Sequence, residues 1–298
     1  MRSSHPSGPS SGTYVSQRLR LHYNDWGNTD APPLLLVHGG KDHSRSWDWV
    51  ANALRDDWHV IAPDLRGHGD SAWSPDGNYS FAAYIYDLAQ LVHQLGEGPV
   101  TIVAHSLGGA ISLRYAGIFP EMVSKLVAIE GTGATPAARR QKALDPIDRR
   151  FREWIAECRE MSGRHPRRYQ TFQQALERMR QANPYLSDEQ AEHLTVHAVA
   201  RNEDGTLSWK FDNYTHSSPP VDLSRDQIER LWSRISCPTL LAWGDRSWAV
   251  HPEKDGVTAC IPDVRVAEFH DAGHWLHHDR FPEFVKVLRD FLGRGQAV

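Results

Sequence analysis

A serine hydroxyl becomes a useful nucleophile only where the backbone lifts it clear of its surroundings, beside a base and hydrogen-bond donors. Ser106 lies in Ala104-His105-Ser106-Leu107-Gly108-Gly109, between an apolar run from Pro99 to Val103 and a helix-like stretch from Ala110 to Phe119. A strand, a sharp turn centred on serine and a helix follow one another, which is the context of a G-x-S-x-G nucleophile elbow. Ala104 stands where the first glycine is usual, and alanine still supplies the small side chain that the turn needs. The chemistry such a serine performs is attack on an acyl carbonyl to give an acyl-enzyme.

Other segments end where partners of that serine would be wanted. The buried-strand run Leu34-Leu35-Leu36-Val37 empties into His38-Gly39-Gly40, whose glycines let the chain turn a backbone N–H toward the serine. Thr239-Leu240-Leu241-Ala242-Trp243 ends at Gly244-Asp245, and the run from Val264 to Phe269 leads into Asp271-Ala272-Gly273-His274. Nucleophile, acid and histidine thus occur in the order Ser106, Asp245, His274, each after a strand-like run.

With these residues the chain resembles the α/β-hydrolase family, in the branch of capped hydrolases that includes carboxylesterases, carbon–carbon bond hydrolases and epoxide-hydrolase-like proteins. The resemblance runs from about Tyr14 to Leu292 and takes in Asp64-Leu65-Arg66-Gly67-His68-Gly69-Asp70-Ser71, similar to the family's turn after the fourth strand. It implies an α/β fold: a mostly parallel central sheet with helices on both faces and an inserted helical cap. It also implies a triad of Ser106, His274 and Asp245, with the backbone N–H groups of Gly40 and Leu107 as the oxyanion hole. Glu130, in Ile129-Glu130-Gly131, is the alternative acid, because some members take their acid from that strand end. The neighbours His105, His270, His277 and His278 read as solvated or pocket-lining, and His38 as a support for its turn.

A serine at the elbow argues against the epoxide-hydrolase and haloalkane-dehalogenase branches, which use a carboxylate there. Hydrolysis of a small carboxylic ester is the leading reading. Carbon–carbon bond, lactone or amide hydrolysis uses the same triad, as would lyase or perhydrolase chemistry, and a non-catalytic small-molecule receptor is the rival of another class. Trp154, Trp209 and Trp232 in the inserted segment fit either an apolar acyl pocket or the packing of cap on core.

The 298 residues, with a formal net charge of −4, are long enough for a substantial core and carry no basic field for nucleic acid or an anionic membrane. Cys158, Cys237 and Cys260 are odd in number and scattered, as free thiols of a reducing compartment are. No apolar run approaches the roughly 18 residues of a spanning helix, and the expectation is a soluble, cytoplasmic protein. No cofactor or metal is expected: no phosphate-cradling glycine loop is present, and the adjacent His277 and His278 cannot easily converge on an ion with Asp271 and His274. A homodimer is compatible with the sequence, which sets no oligomeric state.

The elements that must carry these residues are legible along the chain. Residues 1–12, rich in Ser, Pro and Gly, read as a disordered tail, and Val15 to Tyr23 alternates as a half-exposed antiparallel edge strand. Trp47 to Leu54 and Phe81 to Leu95 have helical spacing, Val60 to Ala62 and Lys125 to Ile129 read as strands, and Pro120 stops the helix after the elbow. From 132 to 236 strand-like runs give way to Arg-, Gln- and Glu-rich helical stretches at Asp148 to Met161, Arg168 to Gln181 and Ser187 to Ala200. The core is therefore expected over 13–131 and 237–298, with the cap between.

Overall fold

The computed structural model describes residues 8–96, 98–133, 141, 144–217 and 219–293. Eight strands form one sheet in the order β1-β2-β4-β3-β5-β6-β9-β10. They are β1 (Ser10–Ser16), β2 (Leu19–Asp25), β3 (Pro33–Val37), β4 (His59–Pro63), β5 (Val100–His105), β6 (Val123–Ile129), β9 (Thr239–Gly244) and β10 (Val264–Phe269). β1 and β2 run antiparallel to their neighbours and the other pairings are parallel.

Side chains alternate across a strand, so each central strand supplies both faces of the sheet. Leu35, Val37, Ile102, Ala104, Leu126 and Ala128 join the core under α2 (Phe81–Leu95) and α3 (Leu107–Ile118). Leu34, Leu36, Val103, Val127, Ile129 and Ala242 join the core on the opposite face, with α1 (Asp48–Leu54) and the C-terminal helix Phe281–Leu292. The expected three-layer α/β architecture is present.

At the N-terminus the structure departs from expectation in two ways. The stretch read as one strand is a hairpin that turns at Gln17, which has φ +52°. Ser10–Gly12, assigned to the tail, belong to β1, and Gly12 lies opposite Tyr23, where a Cβ would fall 2.3 Å from the tyrosine ring. The remainder of the expected tail, residues 1–7, lies outside the described residues.

The insertion follows β6 and contributes α4 (Ile147–Ser162), α5 (Phe172–Ala182) and α6 (Asp188–Ala198). It also holds an unforeseen two-stranded hairpin of β7 (Val199–Arg201) and β8 (Leu207–Trp209). Its own small core of Leu176, Met179, Ala191, Leu194 and Ala198 packs on Trp49 and Trp275 of the main domain. Cap and main domain are also joined at the Asp64–Ser71 turn: Asp212 N–H donates to the Gly67 carbonyl at 2.9 Å, Tyr79 O–H to Asp212 at 2.5 Å, and Lys210 pairs with Asp70 at 2.7 Å. The last helix of the insertion, α7 (Arg225–Trp232), lies instead against α3, with the Leu231 carbonyl over Gly117, and Trp232 and Ile235 belong to the main core. This helix thus packs on the main domain although it lies within the segment 132–236. No helix among the described residues is long and apolar enough to cross a membrane.

Close backbone approach brings the elbow to the sheet. A Cβ on Gly131 would lie 2.5 Å from the Gly109 Cα, and one on Gly108 would lie 2.5 Å from the His38 carbonyl oxygen. Backbone cannot yield as a flexible side chain can, so Gly131→Ala is expected to cost about 2 kcal/mol, in the range of overpacked interiors. Gly163→Ala, whose methyl meets only the Glu160 carbonyl at 3.8 Å, should stay within about 0.5 kcal/mol of wild type. Urea unfolding of the two variants checks this, and equal stabilities would contradict it.

Candidate active site

Ser106 follows β5 with φ +50° and ψ −113°, a conformation that a non-glycine residue adopts only when its surroundings enforce it. The enforcement is visible. Its N–H donates to the Ile129 carbonyl at 2.8 Å, its carbonyl accepts from Ala110 at 3.0 Å to start α3, and Gly108 and Gly109 press against neighbouring backbone. The strand below is buried and the serine itself is part-exposed.

His274 reaches the serine from the loop after β10. Its Nε2 lies 3.0 Å from Ser106 Oγ, and its Nδ1 lies 2.5 Å from Glu130 Oε2. An ionised carboxylate can only accept, and with Glu130 in that form the ring carries its proton on Nδ1 and offers the Nε2 lone pair to the serine O–H.

Glu130 sits one residue past β6, also in a left-handed conformation at φ +49°, with its carboxylate fully buried. Such a group is costly to bury unless its lone pairs are filled. Here Oε1 accepts from Gly244 N–H at 3.0 Å, and Oε2 accepts from the Ser247 hydroxyl at 2.5 Å as well as from His274. These donors hold the carboxylate in one orientation.

Asp245, the acid expected from the sequence, is placed elsewhere. Its Oδ2 lies 3.3 Å from Nδ1 of the exposed His270, and its Oδ1 lies 3.8 Å from Arg246 Nε. The reason lies in the backbone: a Cβ on Gly244 would meet the Ala272 carbonyl oxygen at 2.5 Å, and Asp245 N–H is tied to the Phe269 carbonyl at 3.1 Å. The chain leaves β9 close against the β10 loop with Asp245 on the His270 side, while Ser247 comes round to Glu130. The structure therefore brings Ser106, His274 and the alternative acid Glu130 together.

The turn after β3 lies over the elbow. A Cβ on Gly39 would fall 3.2 Å from Ser106 Cβ, and Gly40 faces the Leu107 side chain. Leu107 heads α3, so its N–H has no intrahelical acceptor. His38 braces this turn, donating from Nδ1 to the Gly39 carbonyl at 2.6 Å and accepting Leu65 N–H on Nε2 at 3.0 Å. Burial pushes its pKa down, which suits a neutral brace.

His105 and His277 are buried, not solvated. His105 donates from Nε2 to the His274 carbonyl at 2.9 Å, and its ring centroid lies 4.7 Å from those of both His274 and His277. Burial, followed by the neighbouring imidazoles, drives both pKa values well below the usual histidine range. His105 thus fixes the His274 backbone as a neutral donor. Sequence reasoning missed Ser247 and also Trp248, an exposed indole whose ring centroid lies 4.8 Å from that of His274. Nothing in their local sequence marks them.

Among the described residues, cavities border Leu107, His274 and Gly40. One of about 850 Å³ extends from Leu107 along Tyr79, Phe81, Ile85 and Phe119 to Leu223. Another of about 300 Å³ borders His274, Trp248 and Trp275, and a third of about 260 Å³ borders Gly40, Trp209 and Trp275. Of the three tryptophans singled out in the sequence, Trp209 lines a cavity near the site, Trp232 packs in the main core and Trp154 stacks edge-on with Phe151.

Among the described residues, Asp48, His193 and His197 bring three donor atoms within 4.8 Å of one another, as do His22, Asp64 and Asp70. In the first set both Asp48 oxygens already accept from the Arg45 guanidinium at 2.6 to 3.0 Å. In the second, Asp64 is filled by His22 Nδ1 at 2.7 Å and by the Ser44 and Asp70 amides. A cation would have to displace these partners. Asp271 is paired with Arg246 and Arg280.

A family model described as alpha/beta hydrolase fold matches residues 32–281. A serine hydrolase-like protein of Danio rerio is 30% identical over 220 residues, covering 72% of this chain and 66% of that protein. An esterase of Mycobacterium tuberculosis is 31% identical over 280 residues, covering 90% of this chain and 84% of the esterase. The thioesterase domain from the curacin biosynthetic pathway superposes with a TM-score of 0.78 at 21% identity, over 95% of this chain and 99% of that domain. This last likeness is one of fold.

The hydrogen bond from His274 to a buried carboxylate should give a strongly deshielded ring N–H proton in the NMR spectrum. It is expected to persist in Asp245→Asn and to disappear in Glu130→Gln. Loss in Asp245→Asn with retention in Glu130→Gln would contradict the geometry.

Proposed function

The chain belongs to the α/β-hydrolase family, and from that premise we propose a serine hydrolase that cleaves a small carboxylic ester through an acyl-enzyme on Ser106, with Glu130 as the acid of the triad. The observation that carries this reading is the continuous relay from Ser106 Oγ through the His274 ring to the Glu130 carboxylate, 3.0 Å and 2.5 Å long. Asp245, which has no such contact with His274, has no catalytic role in this reading.

In the first half-reaction His274 Nε2 takes the Ser106 proton as Oγ bonds to the acyl carbon. Glu130 remains ionised and stabilises the imidazolium, as the acid of a triad does. The developing oxyanion is received by the amides of Gly40 and Leu107, each such donor being worth about 3 kcal/mol in the transition state. The imidazolium then gives its proton to the departing alkoxide. In the second half-reaction His274 deprotonates a water, which attacks the acyl-enzyme, and the proton returns to Ser106.

A serine at the elbow cannot serve as the carboxylate nucleophile of epoxide opening, which supports acyl transfer. The cavity of about 850 Å³ beside Leu107 supports an apolar acyl or alcohol group on that side of the serine. Carbon–carbon, lactone and amide bonds could be cleaved by the same relay, and the choice among them is one of substrate fit.

A graded set of p-nitrophenyl esters, from acetate to long acyl chains, assayed with wild type and Ser106→Ala, tests the proposal. Wild type is expected to turn over the shorter esters, and Ser106→Ala to lose at least about a thousandfold in kcat. A folded wild type that cleaves none of them, or a variant that keeps its activity, would overturn the ester reading.

A further inference from the structure

The cavity of about 260 Å³ beside Gly40 has a character that ester hydrolysis alone does not require. It is walled by Trp209, Phe211 and Trp275 and shares Trp275, Ala182 and Asn183 with the cavity that borders His274. It is therefore adjacent to the reacting centre. Its charged lining residues are Lys41, next to Gly40, and Arg178 on α5, and no Asp or Glu is among the described residues that line it.

Some cap arginines are matched with acids: Arg149 with Glu153, Arg168 with Asp204 and Arg180 with Asp188. Lys41 and Arg178, both exposed residues, line the same cavity, and among the described residues neither has a carboxylate partner. Burial and then the nearby Arg178 push the Lys41 ammonium below its usual range. Lys41 also holds a left-handed backbone at φ +62°, a conformation that costs energy in a non-glycine residue and tends to persist at functional sites. Two cations left unmatched in an aromatic-walled hollow form a receptor for an anion. A guanidinium fork suits the planar carboxylate, and the indole and phenyl walls suit a methylene stem.

Resting on the hydrolase reading above, we propose that this pocket binds a carboxylate carried by the substrate, so that the preferred esters bear an anionic end. The carboxylate belongs either to the acyl or to the alcohol part, and the test has an arm for each.

Monoethyl adipate would be compared with ethyl hexanoate, and the butanoyl ester of γ-hydroxybutanoate with pentyl butanoate, each by kcat/KM at low salt. In parallel, the Ser106→Ala protein would be titrated calorimetrically with adipate and with neutral adipamide. In at least one ester pair the anionic member is expected to be favoured about fivefold or more. That ratio should shrink with added salt and fall toward one in Lys41→Gln and Arg178→Gln, while Arg178→Glu reverses it. Adipate should bind and adipamide should not. Equal or better cleavage of the neutral ester in both pairs, or a ratio that neither substitution moves, overturns the inference. If no ester of either kind is cleaved but adipate binds in a Lys41- and Arg178-dependent way, the hydrolase reading fails and the anion pocket stands. Absence of adipate binding overturns the pocket whatever the kinetics show.

Discussion

The hydrogen bond between His274 and the buried Glu130 carboxylate is the contact around which the site is organised. A carboxylate with no exposed surface is tolerable only when its lone pairs are filled, and Gly244, Ser247 and His274 fill them. Those three donors come from the strand end of β9, the loop beyond it and the loop after β10. Satisfying one acid therefore draws two separate chain segments, the end of β9 with its loop and the loop after β10, to the end of β6. The same requirement sets the His274 tautomer and aims its free nitrogen at Ser106.

Backbone strain does the rest of the positioning. Ser106 and Glu130 both leave their strands with φ near +50°, and neither would hold that conformation alone. Glycine-to-backbone contacts hold it for them: Gly108 against Val37 and His38, Gly109 against Gly131, Gly244 against Ala272 and Gly273. The sheet supplies the rigid floor and these contacts lock the two turns onto it. Behind the relay, neutral buried imidazoles at His105 and His38 use their ring nitrogens as structural donors and acceptors and do not carry charge. The inserted segment packs its small core on Trp275, the residue after His274.

Much of this was legible in the sequence, and what was not has particular causes. Buried parallel strands announce themselves as continuous apolar runs, so β3, β5, β6 and β9 fall where those runs lie, while β10 shows as a mixed run ending in Phe269; the elbow and His274 follow from the ends of these strands. The acid did not follow in the same way. Glu130 and Asp245 each stand at the end of a parallel strand beside a glycine, and the difference between them is the direction in which the backbone leaves the strand. That direction is set by Gly244 packing on the β10 loop and by the left-handed Glu130, which are tertiary facts. The N-terminal hairpin was hidden because its turn uses Gln17 where glycine or asparagine would have signalled it. Ser10–Gly12 read as tail because a Ser- and Gly-rich stretch has no strand signature, although Gly12 is what allows the Tyr23 ring to lie across it. The cap hairpin is three residues a side, too short for alternation to show.

The most direct test of the account is a comparison of Glu130→Gln and Asp245→Asn in the hydrolysis of a short p-nitrophenyl ester. Both changes replace a carboxylate by its isosteric amide, and only one of the carboxylates touches His274. The account predicts that Glu130→Gln loses about a thousandfold or more in kcat, the scale on which a triad fails when its acid becomes an amide. Asp245→Asn should stay within about threefold of wild type, as befits a substitution outside the relay. Near-full activity in Glu130→Gln together with collapse in Asp245→Asn would contradict it.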